Sequence, residues 1–469
     1  MTIATLTGLT LRSHEVLSER KPTGEIFLRS GYGLPEVPPH TGHWLHHWAA
    51  VRPSHVFLAE RSGAGWRELG YAEVLETVRA IAGALVARGM GAETPIVILS
   101  GNGVDHALLS FAAQYVGVPT VPVAEQYSLI SEAHGRLAYV LDKVKPTMAF
   151  TVDAGMYAEA LKLPQFAGME IVASSVAGAP CPVTPFADLC NASAGADVDA
   201  AHAKVGPETV AKILFTSGSS SDPKGVLTTQ KMMCANQMQI NSALPFLKDK
   251  PPSICDWLPW NHVFGGSHNV NMMLANGGSV YIDFGKPTKS GFATTIENVR
   301  SRPGTCSFNV PAGYSLLVHA METDKGLREA FFRDLDMIFY AGASLPQPVW
   351  TALENMAMEI KGPLPLMTSS WGMTETAPAT LMVHKPVGRS GIIGVPLPGT
   401  EIKLIPDADL RCELRVKGPN VMTGYLNDPK KTAESFDEDG FLSTGDAGKF
   451  LDPDDMNRGL VFDGRGSED

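Results

Sequence analysis

The sequence predicts an α/β fold: two mostly parallel α/β subdomains followed by a small β subdomain. Three observations carry this. From residue 56 onward, short apolar runs alternate with helical apolar stripes, the pattern of parallel strands covered by helices. A chain of 469 residues exceeds one simple core and divides. Beyond Gly388 the texture changes to short strands broken by Gly, Pro and Asn, which reads as a β unit. The expected boundaries are 1–205 including an N-terminal arm, 206–387, 388–464, and a terminal segment 465–469.

Taken in order, residues 1–40 are irregular and rich in Gly and Pro, and read as an arm over the body. A helix opens at His43 and stops near Pro53, with Trp44, Leu45 and Trp48 on one face. Its neighbouring histidines His43, His46 and His47 have no Cys or carboxylate at ligand spacing, so they read as packing and surface groups. Val56–Glu60 and Trp66–Leu69 form a hairpin about Ser62–Gly65. Tyr71–Arg88 is a helix with Val74, Val78, Ile81, Ala82 and Leu85 on one stripe and Gly89 as its stop. Strands are expected at Pro95–Ser100, Thr120–Val123 and Thr147–Thr151, with helices at Asp105–Val116 and Leu137–Val144 between them. Residues 175–208 are a loop-rich link. The second half places a strand at Val210–Phe215, a helix at Thr229–Ala243, and strands at Ser253–Leu258, Ser279–Ile282, Thr305–Val310, Met337–Tyr340 and Leu366–Ser369. The β unit has strands at Glu401–Ile405, Glu413–Val416, Phe441–Ser443 and Val461–Phe462.

Composition narrows the function classes. A net charge of −11 argues against a general nucleic-acid binder. The six cysteines are scattered without a CxxC pair, so neither a zinc site nor a disulfide framework is expected. The amino terminus lacks a basic region followed by an apolar core, and no run of about 18 apolar residues occurs. The expected setting is the cytoplasm, with no membrane span.

The strongest local signal is Lys212–Gly225, KILFTSGSSSDPKG. A buried strand leads into a loop of hydroxyls and glycine, Thr216, Ser217, Gly218, Ser219, Ser220 and Ser221, and then Lys224. Small side chains, exposed N–H groups, hydroxyl donors and one ammonium suit polyphosphate oxygens. It is not a Walker loop, because Pro223 and Lys224 stand where that pattern needs glycine and lysine. A flexible surface loop would have the same composition.

The stretch resembles the phosphate-loop signature of the adenylate-forming superfamily, which includes acyl- and aryl-CoA synthetases, luciferases and peptide-synthetase adenylation domains. Four further stretches follow in that family's order. Trp257–Gly266 resembles its acyl-pocket gate, and Gly342-Ala343-Ser344-Leu345 the turn along the adenine. Ser370-Trp371-Gly372-Met373-Thr374-Glu375 is similar to its aromatic-Gly-x-Thr-Glu signature, and Ser443-Thr444-Gly445-Asp446 to its Thr-Gly-Asp signature.

The resemblance implies the large N-terminal domain of an adenylate-forming enzyme. It implies that a carboxylate and ATP give an acyl-adenylate and pyrophosphate, after which coenzyme A takes the acyl group and AMP leaves. Such a reaction needs fixed donors and a cation where charge builds on phosphorus. Thr216, Ser217, Gly218, Ser219, Ser220 and Lys224 would hold the phosphates; Thr374 would donate to the α-phosphate; Glu375 would hold Mg²⁺. Gly342, Ala343 and Ser344 would lie along the adenine, Trp371 would stack on it, and Ser370, Gly372 and Met373 would belong to the same nucleotide site. Asp446 would accept from the ribose hydroxyls, with Arg465 beside it. His262 would sit at the mouth of an acid pocket lined by Val263, Phe264, Val310, Pro311, Ala312, Gly313, Gly342 and Ala377. Ser467 falls at the family's pivot, beyond which complete members carry about a hundred more residues and a catalytic lysine. The resemblance therefore implies a chain that lacks that small domain, binds ATP and acid, and turns over poorly.

The acid is less defined. Leu258–Asn269, with Tyr281-Ile282-Asp283, Gly285-Lys286-Pro287 and Phe462-Asp463-Gly464-Arg465, looks like the feruloyl-CoA synthetase branch, which implies a hydroxycinnamate. An aliphatic acyl-CoA synthetase, a domain that loads a carrier protein, and a non-catalytic nucleotide or acyl-CoA binder remain open.

Overall fold

The computed structural model describes residues 7–216, 222–407 and 411–465. Alternation in the first half produces a seven-stranded sheet in the order Lys224–Thr229, Val210–Thr216, Thr120–Pro122, Ile96–Ile98, Met148–Asp153, Glu170–Ser175, Thr184–Pro185. Every neighbouring pair is parallel except the first, an antiparallel hairpin. Both faces are covered. Ile96 and Ile98 point to helices Tyr71–Ala87 and Val104–Tyr115, while Val97 packs with Leu137, Val140 and Leu141 of helix His134–Val144. Burial on both faces explains why these strands read as unbroken apolar runs.

The hairpin Val56–Ser62/Gly65–Gly70 belongs to a four-stranded sheet with Ser253–Asp256 and Ser279–Ile282. The largest sheet has eleven strands. Cys306–Asn309, Met337–Tyr340 and Leu366–Gly372 run parallel. Ala379–Met382, Ile392–Pro396, Leu460–Arg465, Leu442–Phe450, Cys412–Lys417 and Glu401–Pro406 continue it antiparallel.

The sheets draw on more than one of the segments marked out by the sequence. The strands flanking the phosphate loop, placed in 206–387, complete the seven-stranded sheet of the first half. The N-terminal arm is a hairpin, Val16–Arg20/Ile26–Ser30, and its second strand pairs Ile26–Arg29 with Glu401–Leu404 at the far end of the chain. Ile26 and Leu28 are its buried residues and fill the core beneath that sheet. Among the described residues no helix is long and apolar enough to cross a membrane.

Candidate active site

Thr216 ends one strand and Lys224 begins the next, and the two are directly paired across the hairpin. Ser217, Gly218, Ser219 and Ser220, assigned to the phosphates, and the pivot Ser467 lie outside the described residues. After Lys224 the chain stays extended to Thr229, whose hydroxyl caps helix Gln230–Ala243 by accepting from Met232 N–H. The sequence reading contained the helix and not the strand.

That strand is held from the side by residues 422–426. Leu227 N–H donates to Gly424 O, and Leu426 N–H to Gly225 O. The same segment reaches Glu375: Met422 N–H donates to its carbonyl, and Tyr425 Oη donates to its Oε1 at 2.8 Å. The Tyr425 ring lies 5.5 Å from the Lys224 ammonium. Lys224 and Glu375, 151 positions apart in sequence (375 − 224), are therefore gathered around one tyrosine. Burial, and then the Glu375 carboxylate, push the Tyr425 phenol well up, so it is a donor at any ordinary pH. Tyr425 was not singled out from the sequence.

Glu375 is buried in the turn Thr374–Thr376, which follows strand Leu366–Gly372. Its Oε2 has no protein partner among the described residues. One buried carboxylate with a free oxygen, sharing Tyr425 with Lys224, fits Mg²⁺, which takes one or two carboxylates and completes its shell with phosphate and water.

Trp371 joins this strand to the second signature. Its indole N–H donates to Asp446 Oδ2 at 3.0 Å, while Arg465 Nε stands 3.7 Å from Asp446 Oδ1. Asp446 and Arg465 are cross-strand partners. Gly445, at φ +72°, lies within strand Leu442–Phe450 just before Asp446, and Thr444 Oγ1 accepts the Asp446 N–H. Burial raises the Asp446 pKa, opposed by the indole and by Arg465. Trp371 itself is only 7% exposed and packs with Leu381, Ile402 and Leu414. What it shows in the structure is a grip on Asp446; Gly342, Ala343 and Ser344 are all exposed after strand Met337–Tyr340. Ser370 donates to Leu381 O, Gly372 is exposed, and Met373 and Thr374 are half-buried.

His262 is exposed at the head of the π-helical turn Phe264–Asn269. Its Nδ1 accepts the Phe264 N–H, which leaves the proton on Nε2, and the surrounding protein lowers its pKa. Val263 and Phe264 are buried, and Phe264 packs against Phe308 and Phe339 at 6.2 and 5.5 Å between ring centres. Val310 and Pro311 are half-buried, Ala312 is exposed, and Gly313 packs on the Asn309 amide, with Val310 close to Gly342. Ala377 is placed elsewhere: it is 1% exposed in a cluster with Val226, Met422 and Tyr425, behind Glu375.

Comparison with known proteins follows the same lines. A family model described as AMP-binding enzyme matches residues 45–426. A long-chain-fatty-acid–CoA ligase of Salmonella typhimurium is 30% identical over 262 residues, covering 52% of this chain and 43% of the ligase. The chain thus spans less than half of that relative's length. A 4-coumarate–CoA ligase 2 of Oryza sativa subsp. japonica is 25% identical over 468 residues, covering 94% of this chain and 78% of the relative. Among solved structures, a long-chain-fatty-acid–CoA ligase from Archaeoglobus fulgidus superposes with TM-score 0.76 at 21% identity, covering 94% of this chain and 86% of that one. An O-succinylbenzoate coenzyme A synthetase from Bacillus subtilis in complex with AMP gives 0.69 at 20% identity, covering 92% and 79%. The α/β fold is the one these ligases share, and the chain belongs to the AMP-binding enzyme family, the adenylate-forming superfamily.

Proposed function

We propose that the chain carries the nucleotide and acid sites of an AMP-forming acid–thiol ligase whose acid is a hydroxycinnamate such as ferulate. The observation that carries the reaction class is the convergence of Lys224, Tyr425 and Glu375 beside the phosphate loop, with Asp446 held by Trp371.

A carboxylate oxygen attacks the α-phosphorus of ATP. The new acyl–O–P bond forms as the bond to pyrophosphate breaks, and the electron pair leaves on pyrophosphate. Lys224 and Thr374 supply donors for the oxygens on which charge builds. A bound Mg²⁺ would neutralise phosphate charge, and Glu375 is the residue to hold it. Asp446 accepts from ribose hydroxyls. A thiolate, from coenzyme A, then attacks the acyl carbon; the C–S bond forms and AMP departs with the electrons of the C–O bond. His262 stands where acid and thiol would meet.

The aryl reading is supported by the buried aromatic cluster of Phe264, Phe308 and Phe339, of which Phe264 lies two residues beyond His262 in the chain, and by the 4-coumarate–CoA ligase relative. The long-chain ligases among the relatives favour an aliphatic acid as the second reading. A thermal-shift panel at fixed Mg-ATP separates them, with ferulate, 4-coumarate, benzoate and short and long fatty acids as ligands. A ligand at 100 times its Kd adds about 2.7 kcal/mol of stability. A shift with ferulate or 4-coumarate alone supports the hydroxycinnamate; a shift with fatty acids alone replaces it by the aliphatic reading. No shift with ATP itself overturns the nucleotide site.

A further inference from the structure

A cavity of about 30 Å³ lies between helix Val104–Tyr115, strand Val210–Thr216 and the helical segment that runs from the gate turn to Ala275. None of the residues assigned individually to the acid or the nucleotide lines it. Its charge comes from Lys212, which stands beside Thr120 in the seven-stranded sheet. Lys212 is 7% exposed, and one of the three N–H groups of its ammonium donates to Gly266 O at 2.6 Å. The other two have no protein partner among the described residues. An isolated ammonium taken out of water is costly, and buried charges are ordinarily paired.

The rest of the wall supplies further donors and no charge to answer the ammonium. Asn271 is 2% exposed and lines the same cavity, and its Nδ2 is buried without a partner among the described residues. Gln114 accepts from Thr41 Oγ1 through its Oε1 at 3.3 Å, so the N–H₂ end of its amide is the end not engaged. No carboxylate lines the cavity among the described residues. His106, the other titratable group on the wall, donates Nδ1–H to Gly101 O at 2.9 Å and is kept neutral by burial, which lowers its pKa to about 4. Ala107, Phe111 and Val270 add apolar surface. A water would occupy the N–H groups and leave the charge unpaired. A cation is repelled by Lys212. The space suits one or two waters or an ion of that size, and is too small for a tetrahedral oxyanion.

We propose that Lys212 and Asn271 bind one halide-sized monovalent anion, such as chloride, in this cavity. The anion pairs the buried ammonium and takes up the orphaned amide N–H. It also accounts for a lysine inside an otherwise apolar strand, where an apolar side chain would be the less costly occupant. Its influence extends beyond the cavity. Lys212 lies four residues before Thr216 on the strand that leads to the phosphate loop, and Gly266 and Trp260 belong to the gate stretch. The anion thereby ties the strand, the gate and helix Val104–Tyr115 to one charge. Without it, burial holds the Lys212 pKa at about 8; with it, the charged form is favoured and the pKa rises.

The test is thermal unfolding at pH 7 and constant ionic strength, with sodium gluconate replaced stepwise by sodium chloride, bromide or sulfate. The melting temperature of the unaltered chain is expected to rise along a saturating curve with chloride and bromide and to stay flat with sulfate. Lys212→Met removes the charge, and Asn271→Asp tethers a carboxylate to the cavity wall in place of the free anion. Each is expected to weaken the apparent halide affinity at least about tenfold. Asn271→Asp should do so without losing stability in gluconate, a result that mere damage to packing would not give. Crystals of the unaltered chain soaked in bromide give a reading that no misfolded variant can spoil, with an anomalous peak expected between Lys212 Nζ and Asn271 Nδ2. Absence of that peak, an equal response to sulfate, or a halide response of the same size in all three proteins overturns the site and leaves the cavity to water.

Discussion

Tyr425 donates its hydroxyl to Glu375 at 2.8 Å while its ring stands 5.5 Å from the Lys224 ammonium. One side chain thus touches an anion and a cation, the two groups proposed to serve the metal and the phosphates. A hydrogen bond to a charged group is worth about 1.5–3 kcal/mol. Tyr425→Phe keeps the ring beside Lys224 and frees Glu375. Affinity for Mg-ATP is expected to fall about tenfold, with affinity for metal-free ATP nearly unchanged. Lys224→Ala is expected to weaken both. Calorimetric titration with and without Mg²⁺ checks the split, and equal losses in Tyr425→Phe would contradict the assignment of Glu375 to the metal.

The indole of Trp371 acts on Asp446 in a way that pH reveals. Burial raises the Asp446 pKa, and the indole N–H and Arg465 bring it back down. The ionised carboxylate is the better acceptor for ribose hydroxyls, so AMP affinity should fall as pH drops through that pKa. Trp371→Phe removes the donor and leaves the cation alone to oppose burial. The fall-off in AMP affinity is expected to move to higher pH. An unmoved profile would mean that the hydrogen bond does not govern Asp446.

Much of the fold was legible because parallel strands buried on both faces announce themselves as apolar runs, as at Ile96–Ile98 and Met337–Tyr340. The N-terminal hairpin was not, since only Ile26 and Leu28 of its second strand are buried and its partner strand begins 371 positions after Ser30 (401 − 30). Strand Lys224–Thr229 was hidden for a different reason: its pairing with Val210–Thr216 follows from a loop that reads as a ligand cradle, not as a hairpin turn. Around the candidate site, Glu375 and Asp446 were singled out from signatures, whereas Tyr425 meets Glu375 through a contact made 50 positions further along the chain. Ala377 shows the limit of reading position alone, because neighbours such as Met422 decide which way a residue packs.

Lys212 carries a second pH signature. Its ammonium is fully buried, donates to Gly266 O at 2.6 Å, and has no carboxylate partner among the described residues. Burial lowers its pKa from 10.5 to about 8. Between those values the folded chain has released the proton and the unfolded chain still holds it, so stability rises with pH there. The slope is about 1.4 kcal/mol per pH unit at most. Lys212→Met lacks this contribution, and an apolar replacement of a buried unpaired charge is often neutral or stabilising. Denaturant unfolding of both proteins from pH 7 to 10.5 should show the unaltered chain gaining on the variant above pH 8. A constant difference would show that Lys212 is not titrating in that window.

The gate depends on space as much as on charge. The Gly266 N–H donates to His262 O, its carbonyl accepts from Lys212, and a Cβ at this position would overlap the Trp260 carbonyl oxygen. The nearest atoms to that Cβ are all Trp260 backbone, so Gly266→Ala must move backbone. Overpacking of this kind costs about 1–3 kcal/mol. The displaced turn also carries His262 and Phe264, so acid affinity is expected to fall with stability. Gly135 is the control: it lies in helix His134–Val144, is exposed, and has nothing within 4 Å of a built Cβ. Gly135→Ala restricts the unfolded chain without a clash and is expected to add about 0.4–1 kcal/mol. Opposite signs in thermal unfolding, with ligand affinity lost only in Gly266→Ala, would assign the effect to crowding at the gate. A neutral Gly266→Ala with unchanged acid binding would show that the turn tolerates the shift, and the contact with Trp260 would cease to explain the glycine.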